Sequence, residues 1–394
     1  MTAVPASERP KVSLLYNPRV RTIAYQTLLC AVIGFLAWSA VSNAIENLRR
    51  AHIASGFEFW RFTSGFDISQ SLIDYSSTST YGRAFWVGLL NTLLVAGIGI
   101  VLATIVGFLA GIARLSKNWL LAHLAGGYVE LVRNLPLLLQ LLFWYNAVLK
   151  ALPDVRDSLV FPGGAFLNNR GLFLPQPNFQ PGFEWVLAAF AVGLVGAIGF
   201  RVWARRRQER TGEQAPVGWV ALGLIVGLPL VVYFLAGSPV TLSYPEKGRF
   251  NINGGMELLP ELVALLFGLV LYTGAFIAEV VRAGILAVAH GQTEAAYSLG
   301  LRPGPTLRLV VIPQAMRVIA PPLTNQYLNL TKNSSLAVFV GYPDLVQVFA
   351  GTVLNQTGQA VEVIAVTMAV YLTISLVTSL AMNWFNSRMA LVER

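Results

Sequence analysis

The chain has 394 residues, 55% of them hydrophobic and only 12% charged, about half the charged fraction of an ordinary soluble domain, and its mean hydropathy of +0.61 excludes water as its main solvent. A net charge of +9 would suit nucleic acid, but that reading needs a soluble basic face with interleaved aromatics, and the sequence offers none. The single cysteine, Cys30, excludes an intrachain disulfide and a cysteine-rich metal site.

A helix needs about 20 apolar residues to cross about 30 Å of hydrocarbon. Eight such blocks follow one another: Thr22 to Asn43, Trp86 to Ala113, Leu120 to Leu149, Glu184 to Trp203, Val217 to Ala236, Leu262 to Ala289, Pro322 to Val340, and Val361 to Trp384. The first follows a polar stretch with Arg9, Lys11, Arg19 and Arg21 and is longer than a signal peptide's apolar run, so it reads as a retained anchor with Cys30 as a small hydrophobe. The loop from Ala44 to Arg83 carries Phe57, Phe59, Trp60 and Phe62, which suits an interfacial helix. In the second block Gly99, Ala103, Gly107 and Gly111 share one face that lets another backbone come close. Plain helix packing accounts for that face, and a subunit contact is not required. Pro136 predicts a kink of the third block near Gln140. The stretch from Pro153 to Pro181 has turn chemistry throughout and reads as an irregular surface loop.

The fold class that follows is all-α, a polytopic membrane bundle of about eight helices. Composition divides it into 1–85 (N-terminus, first span and loop), 86–149 (first part of a five-span core), 150–261 (a two-span insertion) and 262–394 (the rest of the core). With the N-terminus in the cytosol, cytosolic segments hold sixteen of the 28 Lys and Arg, led by Arg201, Arg205, Arg206, Arg207 and Arg210, against nine outside. The excess of cationic residues on cytosolic loops therefore predicts both termini inside.

Charges within the spans are costly unless paired. Glu130 with Arg133, and Glu279 with Arg282, sit at i and i+3 on one helix face; mutual neutralisation explains them, and a direct substrate role is the alternative. Lys332 has no acid within one turn, and Thr331, Asn333, Ser334 and Ser335 surround it with polarity that suits a cavity wall. Two readings stay open for it, a ligand for a substrate carboxylate or a partner of Glu279 or of another chain. No catalytic constellation survives: His52, His123 and His290 are scattered, there is no nucleophile elbow, and none of the five lysines follows a glycine as a phosphate loop requires. The chain reads as a non-enzyme without cofactor or metal, so ATP, if used, is bound elsewhere.

The sixth and seventh blocks are joined by the cytosolic segment 289–321, GQTEAAYSLGLRPGPTLRLVVIPQAMRVIAPP from Gly291. A short helix from Thr293 to Leu299 ends at Gly300, which takes the left-handed turn, and Pro305 opens a second short helix. A simple linker needs neither. Ala295, Ala296, Tyr297 and Leu299 offer an apolar face for docking.

The spacing here resembles a known pattern. Glu294-Ala295-Ala296, Gly300, and Val310-x-Ile312-Pro313 resemble the EAA loop of binding-protein-dependent importer permeases, with Val310 and Ile312 as conservative departures from Ile-x-Leu-Pro. ELVRNLPLLLQLLFWY from Glu130, AEVVRAGI from Ala278 and QYLNLTKNSSLA from Gln326 are similar to polar amino-acid permeases, and the extra first span and the insertion to their general L-amino-acid branch. The resemblance implies a MetI-like fold and one permease subunit of an ATP-binding-cassette importer in the bacterial inner (plasma) membrane, surrounded by lipid. It implies coupling through Glu294, Ala295, Ala296, Gly300 and Pro313 to two cytosolic ATPase subunits, a homologous non-identical second permease, and an extracytoplasmic amino-acid-binding protein. Lys332, Asn333, Thr331, Ser334, Ser335, Glu130 and Glu279 are the candidate contacts to the amino acid. Two rival classes are an ion-coupled secondary carrier, in which Glu130, Glu279 or Lys332 titrates, and a non-transporting scaffold, which has no need of Lys332 at mid-depth.

Overall fold

The computed structural model describes residues 18–50, 56–248 and 251–389; Arg9, Lys11 and His52 lie outside them. In chain order the helices are α1 (Pro18–Arg50), α2 (Tyr81–Ala113), α3 (Trp119–Asn134), α4 (Leu137–Leu142), α5 (Phe183–Thr211), α6 (Val217–Leu222), α7 (Leu228–Leu235), α8 (Pro260–Leu286), α9 (His290–Ser298), α10 (Pro303–Thr306), α11 (Ile312–Asn333), α12 (Leu354–Thr357) and α13 (Ala360–Met389). Turns of π-helix fuse α6 to α7 and α10 to α11, and a longer π segment carries α4 on to Leu149. Six rods are long and apolar enough to cross a membrane: Val20–Asn43, Tyr81–Ala113, Phe183–Thr211, Val217–Leu235, Pro260–Leu286 and Ala360–Arg388.

The other two apolar blocks are built differently. Proline lacks an N–H and crowds the residue before it out of helical geometry, and Leu135 is extended, at φ −101° and ψ 134°. The third block is therefore cut into α3 and α4 at Leu135, instead of kinking near Gln140. Gln140 has a different task. Its Nε2 donates to the freed carbonyls of Val132 at 2.9 Å and Leu135 at 3.0 Å. The seventh block is the last part of α11, which tightens into a 3-10 helix over Ser334–Phe339.

The bundle is organised around α8, which α2 crosses in the most extensive helix contact and α11 flanks. Lipid tails are as apolar as leucine, so helices associate in hydrocarbon by close contact and dispersion. The small face of α2 supplies that contact within this chain. A Cβ on Gly107 would lie 2.5 Å from Ile277 Cβ, and one on Gly111 2.7 Å from the Ala278 carbonyl. On α8 itself, Gly284 receives Ile319 of α11. α5 packs chiefly against α6 and α7, with Gly193 against the Leu224 carbonyl. No residue of the best apolar window of α1 is buried against the rest of the chain.

Two loops depart from expectation. The stretch after Pro153 is ordered: β1 (Leu159–Phe161), β2 (Ala165–Asn168) and β3 (Gly171–Leu174) form an antiparallel sheet that β8 (Met256–Leu258) completes, with Leu172 opposite Leu258. β4 (Gln176–Phe179) pairs with β5 (Val240–Ser243), and β6 (Glu246–Lys247) with β7 (Ile252–Asn253). An all-α membrane bundle thus carries a small β layer at one end, between spans whose far ends hold Arg201 to Arg210 and α9. Among its described residues from Gly56 on, the aromatic loop forms no interfacial helix. It makes one 3-10 turn, Glu58–Arg61, which buries Phe59 against Tyr81 and Phe349 and packs Trp60 at a tilt against Phe85.

Candidate functional site

At the arginine-rich end, α9 leaves α8 after a three-residue turn, Ala287 to Ala289, and stops where Gly300, at φ +77°, reverses the chain. The Gly300 N–H donates to the Tyr297 carbonyl at 2.8 Å and the Leu301 N–H to that of Ala296 at 3.1 Å, which closes the helix end. Glu294 and Ala295 are exposed, Tyr297 is half exposed, and Leu299 is 83% exposed. Ala296 corrects the expected docking face. It is buried, because one side of a nine-residue helix must rest on the body of the protein. The expected second short helix is the opening of a longer one: Pro303, with no N–H to lose at a first turn, starts α10, and the chain stays helical through Pro313 to Asn333.

The polar stretch at the other end of α11 is split by its helix. Lys332 is exposed, Asn333 and Ser335 are partly exposed, and Thr331 and Ser334 are buried. The hydroxyls are turned onto the helix's own backbone: Thr331 Oγ1 donates to the Tyr327 carbonyl at 2.9 Å, Ser334 Oγ to that of Thr331 at 2.7 Å, and Ser335 Oγ to that of Lys332 at 2.7 Å. The ammonium and the Asn333 amide therefore carry the outward chemistry here. A cation at a helix C-terminus also complements the helix dipole.

Glu279 lies at the centre of three guanidinium groups. It accepts from Arg282 at 2.6 Å, is bonded to Arg114, and stands 3.8 Å from Arg133. Glu130 finds its partner in Arg114, at 3.5 Å, and not in Arg133. The reason is that Arg133 turns toward α8, where it lies over the Phe276 ring at 5.1 Å. These charges thus neutralise one another between helices, tying the end of α2 to α3 and α8. They are also remote from Lys332. With Ile319 packed on Gly284 and the helices antiparallel, Lys332 lies eight residues farther along the bundle than Glu279, about 12 Å at 1.5 Å per residue. Glu279 spends its contacts on arginines and does not pair with Lys332.

A third cluster went unnoticed in the sequence. After Gly341 the chain re-enters the bundle as a half-helix, π-wound over Val346–Val353 and continued by α12. Asp344, 1% exposed, caps it by accepting from the Gln347 N–H at 2.8 Å, and Tyr371 Oη of α13 donates to its other oxygen at 3.1 Å. Asn91 Nδ2 donates to the Gln70 and Pro343 carbonyls, both at 2.9 Å, and the Leu345 N–H to Thr92 Oγ1 at 3.0 Å. Gly88 lets this turn approach α2, since a Cβ there would meet Leu345 Cα at 3.0 Å. The signal was present as Asp344-x-x-Gln347 behind Gly-Tyr-Pro, a helix-start pattern.

Residues 99–391 match the family described as binding-protein-dependent transport system inner membrane component. The chain is 52% identical over 383 residues to the general L-amino acid transport system permease protein AapQ of Rhizobium johnstonii, covering 97% of this chain and 95% of that one. It is 52% identical over 379 residues to the putative amino-acid ABC transporter permease protein YhdX of Escherichia coli, covering 96% of each. It is 41% identical over 426 aligned positions to the glutamate/glutamine/aspartate/asparagine transport system permease protein BztB of Rhodobacter capsulatus, covering 99% of each.

Proposed function

The chain belongs to the family of binding-protein-dependent transport system inner membrane components, and from that premise we propose how it works: as the transmembrane permease subunit of an ATP-binding-cassette importer for amino acids, forming half of the translocation pathway. Its relatives' names supply the substrate class. The observation that carries the mechanism is α9, a short closed helix at the arginine-rich end that exposes Glu294, Ala295, Tyr297 and Leu299. Such a knob suits a cleft in a partner, and buried Ala296 seats it on the body while Gly300 sets its length; Pro313, exposed in the helix that follows, belongs to the same coupling segment.

In this reading both termini are cytosolic, which the bias of Lys and Arg supports. Two cytosolic ATPase subunits hydrolyse ATP, an extracytoplasmic protein delivers the amino acid, and a homologous, non-identical permease forms the other half of the pathway in the bacterial inner membrane. The core comprises 86–149 and 262–394, with 1–85 as an N-terminal addition and 150–261 as the insertion. Closure of the ATPases displaces α9, and the core rocks between inward-open and outward-open arrangements. Lys332 and Asn333 receive the substrate carboxylate on the exposed side of α11, Ser335 lies beside them, and Thr331 and Ser334 hold the helix end from behind. Glu130 and Glu279 act structurally, keeping α2, α3 and α8 in step.

Co-purification of the assembled complex tests the coupling, and uptake in proteoliposomes tests the pathway. Glu294→Lys and Gly300→Pro are expected to abolish ATPase capture, and Lys332→Ala to abolish uptake while leaving capture intact. Unaltered capture by both α9 variants would overturn the docking assignment. Uptake driven by an ion gradient with no ATPase present would restore the secondary carrier.

A further inference from the structure

Between the β layer and the helices lies a cavity that the transport reading does not use. Its volume is about 510 Å³, within the roughly 300–1,000 Å³ of small-molecule pockets. Trp144 and Val148, from the π-wound continuation of α4, and Phe267, from α8, form its floor, and Ala165, Leu167 and Leu172 of the sheet form its roof. Every residue around it is apolar. Water or a polar solute would enter only by leaving its hydrogen bonds unmade.

The surroundings say what fits. Trp144 and Phe267 meet edge to face, with centroids 4.8 Å apart, at the cavity's lower lip. Below that lip, away from the sheet, Leu139 and Phe143 are exposed and continue the apolar surface down the half-helix into the depth that hydrocarbon occupies. Leu149 of the cavity wall is followed directly by exposed Lys150, whose ammonium lies 4.5 Å from the Tyr145 ring centroid and donates to Asn146 Oδ1 at 3.0 Å. An apolar slot beside the exposed Leu139 and Phe143, with a cation one residue beyond its wall, has the layout of a lipid, tail along the half-helix and phosphate above.

We propose that this cavity holds one acyl chain of a phospholipid from the adjoining leaflet, with Lys150 beside its phosphate, so that the lipid wedges the β layer onto α4 and α8. The inference does not depend on the direction of transport or on the ATPase partner.

Native mass spectrometry of the full chain, released from nanodiscs of mixed phosphatidylglycerol and phosphatidylethanolamine, is the test. The wild type is expected to keep one phospholipid through detergent exchange, and Ala165→Trp, which fills the roof, to lose it. Lys150→Glu is expected to lower the retained phosphatidylglycerol relative to phosphatidylethanolamine by about fivefold or more. Because a tryptophan under the sheet can unfold it, a second measurement uses the native cavity: lipid brominated in its acyl chain should quench Trp144, read as the difference between wild type and Trp144→Phe. Equal lipid retention by wild type and folded Ala165→Trp, or a Trp144 contribution untouched by brominated chains, overturns the proposal.

Discussion

Replacing Glu279 with glutamine removes one charge from the centre of an ionic cluster and leaves three guanidinium groups facing a neutral amide. Glu279 is 26% exposed and Arg114 only 14% exposed in their side chains, so water compensates little. Breaking a buried pair by deleting one partner costs about 3–5 kcal/mol; partial exposure, and the Glu130 carboxylate still 3.5 Å from Arg114, reduce this to about 2–3 kcal/mol. The assay is a double-mutant cycle with Arg114→Gln, each variant unfolded in mixed micelles by increasing SDS and followed by circular dichroism. Glu279→Gln alone should show the full loss. The double variant should recover about 1–2 kcal/mol of the summed costs, because the cation left stranded has also been removed. Costs that add to within about 0.5 kcal/mol would refute the idea that these groups stabilise one another between helices.

Three further outcomes follow from close contacts. Gly107→Ala, whose Cβ would meet Ile277 Cβ at 2.5 Å, should cost about 1–3 kcal/mol and lower the melting temperature in detergent, whereas Gly97→Ala, with nothing within 4 Å, should be neutral or stabilising; equal effects would sink the α2–α8 packing account. Gln140→Leu strands the Val132 and Leu135 carbonyls and should cost about 1–3 kcal/mol, measured in the same SDS titration, while Leu139→Ala on the exposed face gives no such loss. Asp344→Ala removes a cap and the acceptor for Tyr371. It should destabilise by about 2 kcal/mol and speed amide exchange in 345–357 more than elsewhere, and uniform exchange would contradict the half-helix's separate anchoring.

What could be read along the chain was what neighbouring residues decide. Gly300 and the helix before it were legible because a stop signal acts within a few residues. Pro136 announced an interruption, and only its position was misjudged, because the strain falls on Leu135 before the proline. The strands were not legible. β1 to β3 are three or four residues each among turn residues, and their sheet is completed by β8, which pairs Leu258 with Leu172 across α5 to α7. The aromatics near Phe59 carry the same composition whether they float in a headgroup layer or plug a core, and their partner Phe349 is far along the chain. Glu130 shows the same limit. Helical spacing offered Arg133, and the tertiary fold supplied Arg114. The half-helix had a local signature, Asp344 with Gln347, hidden between two stronger apolar blocks.

The pairing of β3 with β8 brings the chain before the helix pair α5 to α7 and its flanking strands β4 to β7 beside the chain that follows them. A segment whose entrance and exit are stitched together can be lengthened, shortened or excised at the gene level without asking α2, α8 or α11 to move, since the gap left behind is one a tight turn can bridge. The seam at Leu172 and Leu258 thus makes the pair of helices beyond it a unit that can be varied in length with little consequence for the packing of α2, α8 and α11.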